Sequence, residues 1–166
     1  MADYFGAAIL RGCFWVNVKD RKVTPFGSGN QHVSMSCLNV VRRATLAVLS
    51  NPEAYGNRPA YFADYALSTN ELLALLEEVA PGWKVENVSL ESLLSHALQN
   101  WDEDSANGVE DRVNSAAYMM LGTYGIFEEG NRYGANFGGK GGKGMGAGEW
   151  SVQAGAQESA GPCNMN

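Results

Sequence analysis

Residues 68–101 read STNELLALLEEVAPGWKVENVSLESLLSHALQNW, a helix, a turn, a short extended piece and a second helix. Ser68 and Glu71 have the spacing of a capping box, in which a hydroxyl and a carboxylate satisfy N–H groups left unbonded at a helix start. Pro81 and Gly82 then end the first helix. This stretch therefore predicts a helix that returns the chain to a strand.

The second helix carries an apolar stripe that must face a core. It follows an extended piece predicted by the alternation within residues 83–88, and it begins at Ser89. The stripe keeps the i, i+3, i+4, i+7, i+8 and i+11 spacing through Leu90, Leu93, Leu94, Ala97, Leu98 and Trp101. Residues 101–108 are acidic and predict a turn-rich connection, after which residues 109–127 return to helical spacing.

Upstream residues predict one more helix and three extended pieces. Residues 36–50 have helical periodicity, with one face made of Leu38, Val41, Thr45, Val48 and Leu49. The aromatic-rich residues 58–66 predict a buried strand. Residues 21–24 and 31–35 predict short extended pieces that flank a glycine-rich turn.

Strands that alternate with helices predict an α/β fold in which helices cover a sheet with some parallel pairing. About four short strands and no opening strand are found, which is typical of the second half of a larger α/β unit. From residue 134 onward, Gly, Ala, Ser and Gln dominate and periodicity is lost. We therefore predict one α/β region over residues 1–133 and a disordered tail over residues 134–166.

Composition excludes several classes of protein. The chain has 166 residues, 45% of them apolar and 18% charged, which suits one globular domain. Its net charge of -6 argues against nucleic acid as a partner. No run approaches the length of about 18 apolar residues that a membrane span needs. Asp3 precedes the first short apolar stretch, the wrong order for a signal peptide, so a cytoplasmic protein is expected.

The three cysteines, Cys13, Cys37 and Cys163, are odd in number and widely spaced. Without a CxxC pair they indicate neither a disulfide framework nor a zinc site, and we expect reduced thiols. His32 and His96 are the two histidines, and no metal site is predicted from them. The acidic run Asp102, Glu103 and Asp104 lacks EF-hand spacing and is interpreted as a solvated loop.

Two glycine patterns invite a phosphate-binding interpretation. Gly139, Gly141 and Gly144 form a G-x-G-x-x-G, but no helix of useful length follows to receive a pyrophosphate. The turn at residues 27–29 could approach an anion, although a tight turn between extended pieces explains it more simply. No cofactor-binding residue is predicted from either pattern.

The chain contains side chains suited to nucleophilic catalysis and to substrate binding, but their positions in the sequence do not establish either kind of site. His32, Ser34, Cys37 and Asp64 include the residue types of a triad, but no nucleophile elbow surrounds Ser34 or Cys37, so no catalytic residue is assigned. Aromatic and sulfur-containing side chains, with core packing as the alternative, could line an apolar substrate pocket. The predicted pocket residues are Tyr61, Tyr65, Trp101, Tyr118 and Met119, with Phe62 and Trp83 as further candidates.

Residues 24–94 read TPFGSGNQHVSMSCLNVVRRATLAVLSNPEAYGNRPAYFADYALSTNELLALLEEVAPGWKVENVSLESLL. The motifs GSGN, VLSNPEAYGNR, LSTNELLALLEE and WKVENVS come in an order that resembles the C-terminal half of NmrA-like, isoflavone-reductase-like proteins of the atypical short-chain dehydrogenase type. YGIFEEGNRYGANF is similar to the closing segment of fungal members. The resemblance extends over residues 1–133.

This resemblance implies a Rossmann-like fold, NADP or NAD as cofactor, and reduction of a small secondary metabolite or redox-linked regulation. In that family the phosphate loop and the catalytic Lys or Tyr belong to the N-terminal half, which no position here matches. We therefore expect an incomplete Rossmann-like unit that binds no coenzyme and is inactive alone. It is either a truncated gene product or a chain that works with a complementary partner or by self-association. A non-catalytic module that engages a protein, and a cofactor-free enzyme, are the alternatives.

Overall fold

The chain is described by a computed structural model at residues 15–36, 38–57, 59–63 and 65–138. In chain order the elements are β1 (Val16–Asn17), β2 (Lys22–Val23), β3 (Val33–Met35), α1 (Leu38–Ser50), α2 (Pro52–Tyr55), β4 (Tyr65–Leu67), α3 (Thr69–Val79), β5 (Lys84–Val85), α4 (Leu90–Ala106), a 3-10 helix (Arg112–Asn114) and α5 (Ala116–Phe127). The fold is mixed α/β, as predicted. Among these residues, no helix is both long and apolar enough to cross a bilayer.

The described residues belong to two compact units. The larger unit contains residues 15–33 and 67–136, and the smaller unit contains residues 34–36, 38–57, 59–63, 65–66 and 137–138. A three-stranded sheet in the larger unit has the order β1-β2-β5. β1 and β2 are antiparallel, whereas β2 and β5 are parallel. The sequence predicts four strands and does not predict β1, because a strand of two residues is too short to show an alternating pattern.

The core of the larger unit forms around an aromatic cluster. Phe127 is 1% exposed, and its ring centroid lies 5.5 Å from that of Trp15 and 5.1 Å from that of Phe26. Other buried side chains come from the sheet, α4 and α5: Val16, Val23, Leu93, Ala97 and Ala117. The aromatic cluster packs the end of α5 against the sheet. Burial of each large apolar side chain contributes roughly 1.5–3 kcal/mol to the free energy of unfolding.

The capping box predicted for α3 is confirmed. The Ser68 hydroxyl accepts a hydrogen bond from the Glu71 backbone N–H at 3.2 Å, and the Glu71 carboxylate accepts one from the Ser68 backbone N–H at 2.8 Å. At the other end, the Glu77 carboxylate accepts from the N–H groups of Gly82 and Trp83, both at 2.9 Å. These bonds define both ends of the helix.

The predicted stripe of α4 is confirmed except at Leu98, which is half exposed. The prediction of a turn-rich connection at residues 101–108 is wrong for its first six residues, since α4 continues to Ala106. Arg112 explains the extension. Its guanidinium donates to the Trp101 carbonyl at 3.1 Å and to the Ser105 hydroxyl at 2.8 Å, and lies 4.6 Å above the Trp101 ring. Contacts from beyond the helix therefore stabilise its last turns.

Two predictions for the smaller unit need correction. The strand predicted at residues 58–66 is only Tyr65–Leu67, since residues 59–63 have no regular structure and residues 58 and 64 lie outside the described part. Pro59 has no N–H for a ladder. The apolar face predicted for α1 is also misplaced, because Leu38 and Leu49 are exposed and Ala44 is the buried residue.

The extended pieces on either side of the glycine-rich turn belong to different sheets. β2 pairs with β1 and β5, whereas β3 pairs with β4. The turn is therefore not a hairpin. Of the predicted tail, residues 134–138 are described: Gly134 donates its backbone N–H to the Asn131 carbonyl at 3.0 Å. The rest of the tail, from residue 139, lies outside the described residues.

Candidate functional site

The glycine-rich turn is held in place by Glu129. The Ser28 backbone N–H donates to the Glu129 carboxylate at 2.7 Å. Gly27 has a φ of +64°, and a Cβ there would lie 2.9 Å from both Glu129 Oε1 and Leu90 Cδ1. The hydroxyl and the backbone N–H of Ser28 lower the pKa of Glu129. These contacts favour the structural interpretation of the turn.

Asn70, in the first turn of α3, holds the same turn from another direction. Its side-chain amide donates to the Ser28 carbonyl at 3.0 Å and to Asn30 Oδ1 at 2.8 Å. Its backbone N–H donates to the Gly29 carbonyl at 3.1 Å. The polar groups of the turn are thus engaged by the protein itself.

His32 has a partner outside the predicted triad. Its Nε2 lies 3.1 Å from Glu71 Oε2, in the capping box of α3. The Ser68 backbone N–H, and then the Ser68 hydroxyl, lower the pKa of Glu71, and the charge of His32 acts in the same direction. The Ser34 hydroxyl accepts the Phe137 backbone N–H at 2.8 Å within the smaller unit. Cys37 and Asp64 lie outside the described residues, so the triad stays without support.

An apolar groove of about 550 Å³ borders α4 and α5 in the larger unit. Its walls are Leu94, Leu121, Gly122, Tyr124, Gly125, Ile126, Arg132, Tyr133 and Ala135. The rings of Tyr124 and Tyr133 meet edge to face with centroids 6.3 Å apart. Tyr133 is 60% exposed, so the groove opens to solvent on that side. The volume lies in the usual range for small-molecule sites.

The two glycines of α5 line this groove without a packing reason. A Cβ at Gly122 would meet nothing within 4 Å, and one at Gly125 would make ordinary contact with the Tyr133 ring at 3.7 Å. Glycine inside a helix costs about 1 kcal/mol relative to alanine. Neither steric crowding nor a positive φ accounts for that cost.

A tight turn after α5 holds the polar end of the groove. The Glu128 carboxylate accepts the backbone N–H groups of Gly130 at 3.1 Å and Arg132 at 2.8 Å. The Asn131 side chain exchanges two hydrogen bonds of 2.9 Å with the backbone of Asn136. Within the part of the chain that the structure describes, the Arg132 guanidinium forms no ion pair. It is an exposed cation at the rim of an apolar groove.

The five predicted pocket residues are divided between the units. Tyr61 and Tyr65 belong to the smaller unit, where the Tyr61 ring lies 5.1 Å from that of Phe137. Trp101, Tyr118 and Met119 lie on α4 and α5 of the larger unit, with Tyr118 and Met119 partly exposed. The groove is lined by different residues, so the substrate role of these five stays a prediction.

The groove residues that sequence reasoning missed include Tyr124, Arg132 and Tyr133. A usable signal was present in the pair Gly122 and Gly125, three residues apart within the predicted helix of residues 109–127. Residues at i and i+3 share a helix face, so two glycines at this spacing leave one face bare. That pattern indicates either close packing or an open groove.

The residues considered for metal or nucleotide binding lie partly outside the described part of the chain. No group of three His, Cys, Asp or Glu side chains among them could hold a metal ion. Asp104 lies 4.0 Å from Arg112, beyond hydrogen-bonding distance, and Glu103 accepts a hydrogen bond from Gln99 at 3.0 Å. The three cysteines and the G-x-G-x-x-G at Gly139, Gly141 and Gly144 lie outside these residues.

The described residues form a mixed α/β fold with an apolar groove, and the lining of that groove includes one cationic side chain, Arg132. Comparison of the chain with family models, with curated proteins and with solved structures gives no match.

Proposed function

We propose that the chain is the substrate-side portion of an NAD(P)-dependent reductase of the NmrA-like, isoflavone-reductase-like type, and that it binds a small organic metabolite. The groove on α4 and α5 is the observation that carries this proposal. It has apolar walls, two tyrosine rings and two glycines that packing does not require. The motif order in residues 24–94 and the mixed α/β fold support the same assignment.

Two positions among the described residues that could have received a coenzyme diphosphate do not suit one. A dinucleotide site uses free N–H groups at a helix start beside a glycine-rich turn. Here the start of α3 carries the Glu71 carboxylate, and the turn at Gly27 faces the Glu129 carboxylate. Both carboxylates would repel phosphate. The coenzyme half of the reductase would accordingly come from other chain segments or from a partner.

Calorimetric titration tests the proposal. The isolated chain should give no saturable heat with NADPH or NADH, and it should bind the neutral aromatic 2-naphthamide. Gly122→Leu should abolish 2-naphthamide binding by filling the groove, whereas Thr45→Leu, at an exposed position of α1, should leave it unchanged. Tight coenzyme binding by the chain alone, or the absence of 2-naphthamide binding, would contradict the proposal.

Exposed leucines on α1 favour a second candidate, a non-catalytic module that engages a protein partner. Leu38, Leu46 and Leu49 are 57%, 66% and 73% exposed. Apolar side chains grouped on one element are typical of interaction surfaces. Light scattering after size exclusion should then show association that Leu46→Lys weakens. A stable monomer at high concentration would argue against this candidate.

A further inference from the structure

We infer that the groove selects a planar apolar molecule that carries one anionic group, with the anion at Arg132. This inference rests on the proposed function, and it specifies the chemical class of the metabolite. It depends on three features of the site: an arginine without an ion pair among the described residues, a lining without acidic side chains, and two glycines of α5 in that lining.

Among the described residues the Arg132 guanidinium has no ion-pair partner, and the two carboxylates that precede it in sequence are oriented by backbone N–H groups. Both oxygens of Glu128 accept backbone N–H groups, from Gly130 and from Arg132 itself. Glu129 accepts the Ser28 N–H at 2.7 Å. The groove lining contains no Asp or Glu. A ligand carboxylate would therefore meet a guanidinium that suits two parallel hydrogen bonds.

The shape of the lining favours a ring. Gly122 and Gly125 expose bare helix backbone, and the Tyr133 ring lies beside Gly125. Leu94 and Ile126 add aliphatic contact. A planar molecule can cover the glycine surface and contact the tyrosine rings together, which a branched aliphatic chain does less well.

The net charge of the whole chain opposes the binding of anions. At a net charge of -6 the protein repels anions at long range, so a preference for an anion must arise locally. The probe pair is 2-naphthoate and 2-naphthamide, which share a ring system and differ by one charge. Dissociation constants are measured by fluorescence titration for the full chain, Arg132→Gln and Arg42→Gln. Arg42 is an exposed arginine of α1 that donates to Asn39.

For the native chain, 2-naphthoate should bind about three- to tenfold more tightly than 2-naphthamide, which corresponds to an exposed charge-assisted contact. Arg132→Gln should remove that preference while leaving 2-naphthamide binding unchanged, and Arg42→Gln should have no effect. Raising NaCl from 20 to 500 mM should weaken 2-naphthoate binding to the native chain and to Arg42→Gln, but not to Arg132→Gln.

If the native chain binds the two probes with equal affinity and Gly122→Leu abolishes the binding of both, the preference for an anion is overturned. The proposed function is then retained. A preference for 2-naphthoate that persists in Arg132→Gln would overturn the role of Arg132. Failure of both probes to bind would overturn the groove as a ligand site, and with it both proposals. Circular dichroism of each variant checks that the fold is retained.

Discussion

The Glu129 carboxylate accepts the backbone N–H of Ser28 at 2.7 Å, although the two residues are 101 positions apart. Glu129 directly follows Glu128, whose carboxylate holds the turn that carries Arg132. The glycine-rich turn and the polar end of the groove thus share one short acidic segment. A substitution in the glycine-rich turn should therefore affect the polar end of the groove, and a substitution at that end should affect the turn.

Gly27→Ala should destabilise the larger unit by about 1–3 kcal/mol, since its φ of +64° is left-handed and its new Cβ would press on Glu129 and Leu90. Gly108→Ala is the matched control, because Gly108 has a φ of +66° with nothing within 4 Å. Urea unfolding of both variants isolates the contact effect. Equal losses in the two variants would mean that Glu129 and Leu90 move aside at no cost.

Acid should weaken the fold through three glutamates. The pKa values of Glu71, Glu77 and Glu129 are lowered from 4.5 by hydrogen bonds from Ser68, from Gly82 and Trp83, and from Ser28 respectively. A carboxylate with a lowered folded pKa stabilises the protein above its unfolded pKa. That contribution is lost as the pH falls through the folded pKa, so the free energy of unfolding should decrease below about pH 4.5.

Unfolding by urea at a series of pH values between 6 and 3 measures this dependence. Glu77→Gln should make the free energy of unfolding less dependent on pH, because one of the three linked groups no longer titrates. Glu110→Gln, an exposed control, should follow the native curve. Superimposable curves for Glu77→Gln and the native chain would contradict the assignment.

Phe127→Ala should cost about 3–5 kcal/mol, the range for removing a buried aromatic ring. The side chain is 1% exposed between Trp15 and Phe26, so its loss leaves a cavity at the end of α5. Val79→Ala, at a position 86% exposed, should change the free energy of unfolding by less than about 0.5 kcal/mol. Chemical denaturation compares the two, and a loss at Phe127 no larger than at Val79 would contradict this core.

Gly122→Ala should stabilise the protein by about 0.5–1 kcal/mol, because alanine is the better helix former and its Cβ enters open space. Thermal unfolding followed by circular dichroism measures the gain. A lower melting temperature would instead show that a neighbour packs against this face of α5. Stabilisation combined with weaker 2-naphthamide binding would indicate that glycine is retained for the groove.

Much of the framework was predictable from short patterns. The capping box at Ser68 and Glu71, the start of α4 at Ser89 and the helix that ends at Ser50 all lie where the sequence places them. The five predicted pocket residues do not line the groove, and their contact with a substrate stays a prediction. An aromatic side chain has the same identity in a core and in a site, and only its neighbours distinguish the two.

The sequence alone determined the class of fold and the starts of α3 and α4, because capping bonds and helical periodicity close within a few residues. The helix predicted at residues 109–127 begins only at Ala116. The tertiary structure decided the rest. Arg112 extended α4 to Ala106, and α1 buried Ala44 rather than Leu38 or Leu49. The groove joins Leu94 to residues 121–135. Which face of a helix is buried depends on segments that are far away in the chain, and a local sequence pattern does not show which segments those are.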